Sequence, residues 1–256
     1  MPLNENEEKI CDDALTKKYS GIFRPFALRM CKEKKTDAKA LKKILYGATT
    51  AYFGLNEYKK ALKIFSGNSE INESALNAIL SLHKSSKERL PFVYKFYNFI
   101  IENANVESVL DIGAGLNPLM IGLCPNYFNS VKTYTALDVD WRLARINELF
   151  FALSGINGKA DCLDAISNTP EERATTAYLF KLAPLLERQK KGRAIELMEN
   201  LRVSYIIITF PSKSLSGREK GMRRFYTENF KLPKNTEVIA KNEIGNEIIF
   251  ILKKFF

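Results

Sequence analysis

The residues best placed to do chemistry lie in one stretch, Asp111-Ile112-Gly113-Ala114-Gly115-Leu116-Asn117-Pro118, directly after the apolar run Ser108, Val109, Leu110. The two glycines permit a sharp turn and a close backbone approach to a ligand, and Pro118 suits the first turn of a following helix. A dinucleotide fingerprint wants a small residue where Pro118 stands, and no Gly-Lys-Ser/Thr ending follows, so NAD and ATP both lose ground. A ligand without phosphates fits better. A second strand-like run ends Thr135-Ala136-Leu137-Asp138, putting a carboxylate 27 residues after Asp111, where an acid accepts hydrogen bonds from ribose hydroxyls. Its neighbour Asp140 suits a helix cap. In Lys159-Ala160-Asp161-Cys162, Asp161 is the candidate acceptor for an adenine amino group. Gly-x-Gly, Asp138 and Asp161 together point to S-adenosylmethionine, ahead of a nicotinamide cofactor.

Such a site needs strands that end at it. The patterning predicts strands near 107–112, 132–138, 175–181 and 203–210, with helices near 118–124, 141–153, 184–201 and 217–230. That alternation is a doubly wound parallel sheet. Two further strand-like runs, Thr236 to Ala240 and Glu247 to Leu252, flank the polar loop Asn242 to Asn246 and predict a terminal antiparallel hairpin. Up to about residue 85 the periodicity is helical, with Asp37 and Asn72 as caps. The expected organisation is a helical N-terminal domain over residues 1–85 and an α/β domain over 86–256.

The 256 residues, 46% of them hydrophobic, exclude wholesale disorder. Apolar runs such as Tyr205 to Phe210 fall far short of the roughly 20 residues of a spanning helix, and the N-terminus is polar, so a soluble cytoplasmic protein is expected. Four cysteines without a C-x-x-C pair and one histidine argue against structural zinc, a disulfide framework or a metal centre. His83, seven residues after Leu76 on an apolar face, reads as packing rather than catalysis. The net charge of +10 suits a polyanionic partner. Before His83 the 14 Lys/Arg are interleaved with 10 Asp/Glu, as on a solvated helical surface or an RNA-contacting one. Lys181 to Arg193 and Ser212 to Arg224 each carry five Lys/Arg and one Glu, and both follow strand ends, so they should rim the ligand site. Within the second, Ser216-Gly217-Arg218-Glu219 is a capping box, and the helix it opens sets Arg218 and Met222 on one face. Helical Met is usually core filler; at a basic rim it can also pack against an unstacked base.

Ordered matches decide between these readings: His83-Lys84-Ser85-Ser86-Lys87-Glu88-Arg89-Leu90, the Gly-x-Gly-x-Asn-Pro run within Val109 to Leu119, Leu182-x-Pro184-Leu185-Leu186-Glu187-Arg188-Gln189, Phe210 to Met222, and Ile244-Gly245-Asn246-Glu247. With them the chain resembles the aminoglycoside-resistance 16S rRNA (guanine(1405)-N7)-methyltransferases. The resemblance implies a class I, Rossmann-like methyltransferase fold with a helical N-terminal RNA-binding domain, acting as a monomer on 16S rRNA in the small ribosomal subunit. It also implies roles: Arg89 on the cofactor carboxylate, Gly113 and Gly115 beside the methionine part, Asp138 on the ribose, Asp161 on the adenine. Arg188, Arg218 and Met222 would face the target nucleotide. Guanine N7 carries a free lone pair, so the transfer needs positioning rather than a general base. The alternatives are a methyltransferase for another rRNA base or for a small molecule, and a ribosome-binding homologue without activity.

Overall fold

Runs such as Ala177-Tyr178-Leu179 and Ile206-Ile207-Ile208 are apolar at every position, the pattern of strands buried on both faces. The computed structural model describes residues 5–34, 37–50, 52–67, 70–212 and 231–255. Within them, strands β1 (Ser108–Ile112), β2 (Thr133–Asp138), β3 (Asn157–Cys162), β4 (Arg173–Phe180), β5 (Arg202–Pro211), β6 (Thr236–Ile244) and β7 (Glu247–Lys254) form one sheet in the order β3-β2-β1-β4-β5-β7-β6. The first five are parallel, while β7 runs antiparallel to both β5 and β6. This is the expected doubly wound sheet with its hairpin, although the hairpin strands reach further and meet in a turn at Gly245-Asn246.

The helices are α1 (Glu5–Ala14), α2 (Arg24–Lys34), α3 (Ala38–Leu45), α4 (Leu55–Ser66), α5 (Glu73–Leu80), α6 (Lys84–Arg89), α7 (Val93–Asn103), α8 (Asn117–Ile121), α9 (Pro125–Ser130), α10 (Trp141–Ser154), α11 (Ala183–Gln189) and α12 (Arg193–Asn200). The capping residues act as their types dictate: Asp37 accepts from Ala40 N at 2.7 Å, and Asn72 from Ala75 N at 2.9 Å. The single helix expected over 184–201 is two, α11 and α12, with Gly192 between them. The strand β3 was absent from the expectation. Its residues are small and polar, and it lies at the sheet edge with every second residue exposed.

Alternation along the strands divides the apolar residues between two layers. Val109, Tyr134, Tyr178 and Ile207 pack against α4, α5, α7, α8 and α10, whereas Leu110, Leu179, Ile206 and Ile208 pack against α11 and α12. Helices α1 to α3 enclose a separate core of Cys11, Phe26, Met30, Leu41 and Leu45. By contrast, Phe65 of α4 and Leu76 and Ile79 of α5 belong to the core under the sheet. The segment before α2 is stitched to the end of β2: Phe23 N donates to Val139 O at 2.8 Å and Trp141 N to Gly21 O at 2.9 Å. The helix expected over 217–230, with Arg218 and Met222, lies outside the described residues.

Candidate active site

A cavity of about 800 Å³ opens at the carboxyl ends of β1, β2 and β4, where the strand order reverses, and it is large enough to enclose a nucleoside-sized ligand. Gly113 and Gly115 line it with φ of 72° and 54°, a left-handed backbone that strains any side chain. A Cβ on Gly115 would also stand 3.0 Å from His83 Cε1. The turn they make aims Gly115 N at Asp138 Oδ2, 2.9 Å away, while Asp138 Oδ1 accepts from Asp140 N at 3.1 Å. Both carboxylate oxygens keep lone pairs for further donors. Burial pushes the Asp138 pKa up to about 6, against the pull of the Gly115 amide. Asp140 is the cap of α10, as expected, and is bonded to Arg142 N and to the buried Arg142 guanidinium.

On the opposite wall Arg89 is buried, stacked 4.6 Å above the Phe96 ring and 4.9 Å from that of Phe180. Its Nε and Nη2 each donate to a Glu247 oxygen at 2.9 Å, and Nη1 donates to Asn117 Oδ1 at 2.5 Å. With a weak contact from Nη1 to Met120 Sδ at 3.9 Å, that engages four of its five N–H donors. Glu247 also accepts from Thr209 at 2.8 Å and lies 3.3 Å from Lys181 Nζ, and these cations hold its carboxyl below the usual range. Sequence reasoning assigned Glu247 no role, although it ends one of the family-like stretches; Lys181 opens the basic segment expected to rim the site. His83 is buried and caps α6 through Ser86, so the packing reading holds, but its ring also lines the cavity. Burial and the nearby Arg89 and Lys181 lower its pKa to about 3, leaving it neutral.

Two predicted cofactor residues are not in the cavity wall. Asp111 is fully buried behind the turn, where Oδ2 accepts from Tyr134 at 2.6 Å and Asn117 at 3.2 Å; burial raises its pKa to about 7. It therefore orients Asn117, and through it Arg89, instead of touching a ligand. Asp161 is exposed on the outer edge strand, its Oδ1 turned back to Cys162 N at 2.7 Å. The acid that does line the cavity on this side is Asp164, just past the end of β3. Asp164 is held by Arg29 of α2, with Nε at 2.5 Å and Nη2 at 3.0 Å from its two oxygens. The same Arg29 Nη2 donates to Gln189 of α11 at 2.9 Å. Arg188 is exposed at the mouth. The N-terminal unit thus supplies part of the wall: Phe26, Thr49 and Tyr52 face the same space.

This donor set fits S-adenosylmethionine on its own geometry. A carboxylate with spare lone pairs suits a ribose diol, a left-handed Gly-x-Gly turn admits close approach, and a buried guanidinium with an N–H donor to spare suits a carboxylate.

The ribosomal RNA methyltransferase (FmrO) family matches residues 32–251. A 16S rRNA (guanine(1405)-N(7))-methyltransferase of Serratia marcescens is 31% identical over 251 residues, 95% of this chain and 98% of that protein. A protein of the same name from Micromonospora echinospora is 31% identical over 194 residues, 73% of this chain and 69% of its own length. Among solved structures, the 16S rRNA methyltransferase RmtF in complex with S-adenosyl-L-homocysteine superposes with a TM-score of 0.85 at 28% identity, covering 99% of this chain and 100% of that one. The 16S rRNA methylase RmtB gives 0.82 at 26% identity with both chains fully covered.

Proposed function

The chain belongs to the FmrO family of ribosomal RNA methyltransferases, and from that premise we propose that it methylates N7 of the decoding-site guanine 1405 of 16S rRNA within the small ribosomal subunit, using S-adenosylmethionine. The observation that carries the reading is that one cavity joins the two halves of the reaction: Asp138 and the Gly113–Gly115 turn lie inside it, and Arg188 stands at its mouth.

The cofactor supplies an electrophilic methyl group on a sulfonium. The chain's residues do the rest by holding and excluding. Asp138 accepts the ribose hydroxyls; Arg89, fixed by Glu247 and Asn117, presents its remaining N–H donor to the methionine carboxylate. Asp164 bounds the adenine side. Within an A-form helix the N7 edge lies in a groove too narrow for protein, so the guanine leaves its stack at a cost of a few kcal/mol. Arg188 at the mouth offsets part of that cost by gripping phosphate. Arg218 and Met222, outside the described residues, keep the target-facing roles that the family resemblance gives them. Since N7 is already an unprotonated nucleophile, no side chain has to remove a proton, and alignment within the cavity sets the rate.

The N-terminal unit is the RNA-binding part of this proposal, and the protein acts as a monomer. No helix among the described residues is long and apolar enough to cross a membrane.

The deciding experiment incubates purified small subunits with the protein and radiolabelled S-adenosylmethionine, then maps N7-methylguanosine by chemical strand cleavage and primer extension. A single stop at the decoding site is expected, together with aminoglycoside resistance in a susceptible host expressing the chain. A stop at another nucleotide overturns the target, and absence of incorporation with intact S-adenosylhomocysteine binding favours a non-catalytic ribosome-binding homologue.

A further inference from the structure

The inner face of α10 is apolar, with Leu143, Ile146, Phe150 and Phe151 packed in the core under the sheet, and one amide stands in the middle of it. Asn147 is fully buried. Its Nδ2 donates to Gly115 O at 2.9 Å, and because only the amino end of an amide can donate to a carbonyl, the orientation of the group is settled. Oδ1 is left buried with no hydrogen-bond partner among the described residues. An unpaired buried acceptor costs stability, and nothing in the surrounding layer asks for one. The amide is therefore explained by what it holds rather than by the core around it.

What it holds is the freest residue of the glycine turn. Gly115, at φ 54°, has no Cβ to restrict rotation, so its two peptide groups keep their directions only where other groups fix them. The earlier amides of the turn are fixed by the strand next door, Gly113 N and Ala114 N both donating to Leu137 O, at 2.8 and 3.0 Å. Gly115 N turns instead to Asp138 Oδ2 and Gly115 O to Asn147 Nδ2, each at 2.9 Å. Asn147 thus pins one side of the glycine while the acid takes the other. Once the carbonyl is released, Gly115 can swing and carry its amide off Asp138, which leaves a buried carboxylate short of a backbone donor.

We propose that Asn147 is a positioning residue for the methyl donor: by holding the Gly115 carbonyl it keeps the Gly115 amide on Asp138, and so aims that carboxylate at the ribose. The proposal rests on the ribose role given to Asp138 above. The other titratable groups that act on Asp138 are Asp111 on β1, Asp140 ahead of α10 and Cys162 on β3, and a substitution at position 147 leaves all three in place.

The test compares Asn147→Leu with Phe150→Leu, which trims the same buried face of α10 one turn further on and leaves the Gly115 bond intact. The readouts are calorimetric affinity for S-adenosylhomocysteine between pH 5 and 7.5, KM for S-adenosylmethionine and for small subunits, thermal midpoint, and hydrogen exchange of the Gly115 amide in protein carrying 15N-glycine. Asn147→Leu is expected to bind S-adenosylhomocysteine about tenfold more weakly at pH 7.5 and to raise KM for S-adenosylmethionine by a similar factor, with KM for small subunits unchanged. Its binding profile should move to higher pH by about half a unit, because the Gly115 amide is one of the groups that lower the Asp138 pKa. Its thermal midpoint should stay near that of the parent, since one unpaired buried acceptor is exchanged for another. Phe150→Leu should do the reverse, melting earlier with affinity and pH profile unchanged. An Asn147→Leu protein with parental affinity overturns the proposal, as does weaker binding with an unmoved pH profile. If that variant does not fold, the parent decides: a Gly115 amide protected from exchange without cofactor upholds the proposal, and one that exchanges freely overturns it. Parental affinity in Asp138→Asn removes the ribose reading and this inference together, whereas a weakened Asp138→Asn beside an indifferent Asn147→Leu removes this inference alone.

Discussion

Asp138 is the residue at which local chemistry and ligand binding are most tightly linked. Its carboxyl is anchored by Gly115 N and Asp140 N, yet burial lifts its pKa to about 6. In the proposed role, ribose hydroxyls donate to the ionised form, so affinity is present above that pKa and is lost as protons are added. Titrating from pH 7.5 to 5 should weaken S-adenosylhomocysteine binding about tenfold, one pKa unit corresponding to that factor. Asp111, raised to about 7 and reaching the cavity through Asn117 and Arg89, adds its own slope in the same range. Asp138→Asn should bind at least about tenfold more weakly at pH 7.5 and show the shallower slope that belongs to Asp111. Calorimetry across that range checks this, and an unaltered slope in the variant would remove Asp138 from the site. Gly113, Gly115 and Asp138 were legible because a glycine turn after a strand and an acid at the next strand end have few other uses. The sequence reading named Asp161 alone, because nothing marks Asp164, three residues on, until the end of β3 is known; alternation then turns Asp161 outward. Glu247 was silent for a different reason, since its partners Arg89 and Lys181 are brought to it only by the fold.

Between elements, one side chain joins three. Arg29 of α2 grips Asp164 after β3 and Gln189 at the end of α11, and Phe26 packs beneath its guanidinium. Asp164 is almost fully buried, so removing the guanidinium leaves a carboxylate with Ile166 N and Ser167 as its remaining hydrogen-bond donors. Breaking a pair of this kind costs about 3 kcal/mol. Arg29→Met should lower the thermal midpoint by several degrees and speed hydrogen exchange in residues 164–168 and 186–190, while Arg29→Lys restores part of both. Unchanged exchange in α11 would mean that the Gln189 contact carries no load. None of this joint was visible in the sequence, where Arg29 is one cation among the 14 before His83. The doubly wound sheet was visible, because strands buried on both faces carry near-continuous apolar runs such as Ile206-Ile207-Ile208. The edge strand β3 was not, since a strand with one solvated side and small residues lacks the apolar signature. The helix over 184–201 read as continuous because, of the three residues between α11 and α12, Lys190 and Lys191 suit a helix and only Gly192 breaks it.

At the scale of the whole molecule, a net charge of +10 acts only where it faces the RNA. The N-terminal unit both walls the cavity and presents α3, whose buried face is Leu41 and Leu45 and whose exposed face carries Lys39 and Lys43 with no acid on the helix. Tyr46, 49% exposed, continues that face one turn further. A helix packed on one side into the core that holds the cavity-lining Phe26, and cationic on the other, is placed to set the distance between bound RNA and the methyl donor. Each phosphate neutralised by such a lysine releases counterions and contributes roughly 0.7 to 0.9 to the slope of log affinity against log salt. The double variant Lys39→Glu/Lys43→Glu should therefore bind small subunits about tenfold more weakly near 0.15 M salt, with the slope shallower by about 1.5. Its cofactor affinity should match the parent, because neither residue lines the cavity. Filter binding across a potassium chloride series, with calorimetry as the control, measures both quantities. An unchanged slope would show that α3 points away from the RNA and that the rim around Arg188 holds the substrate by itself.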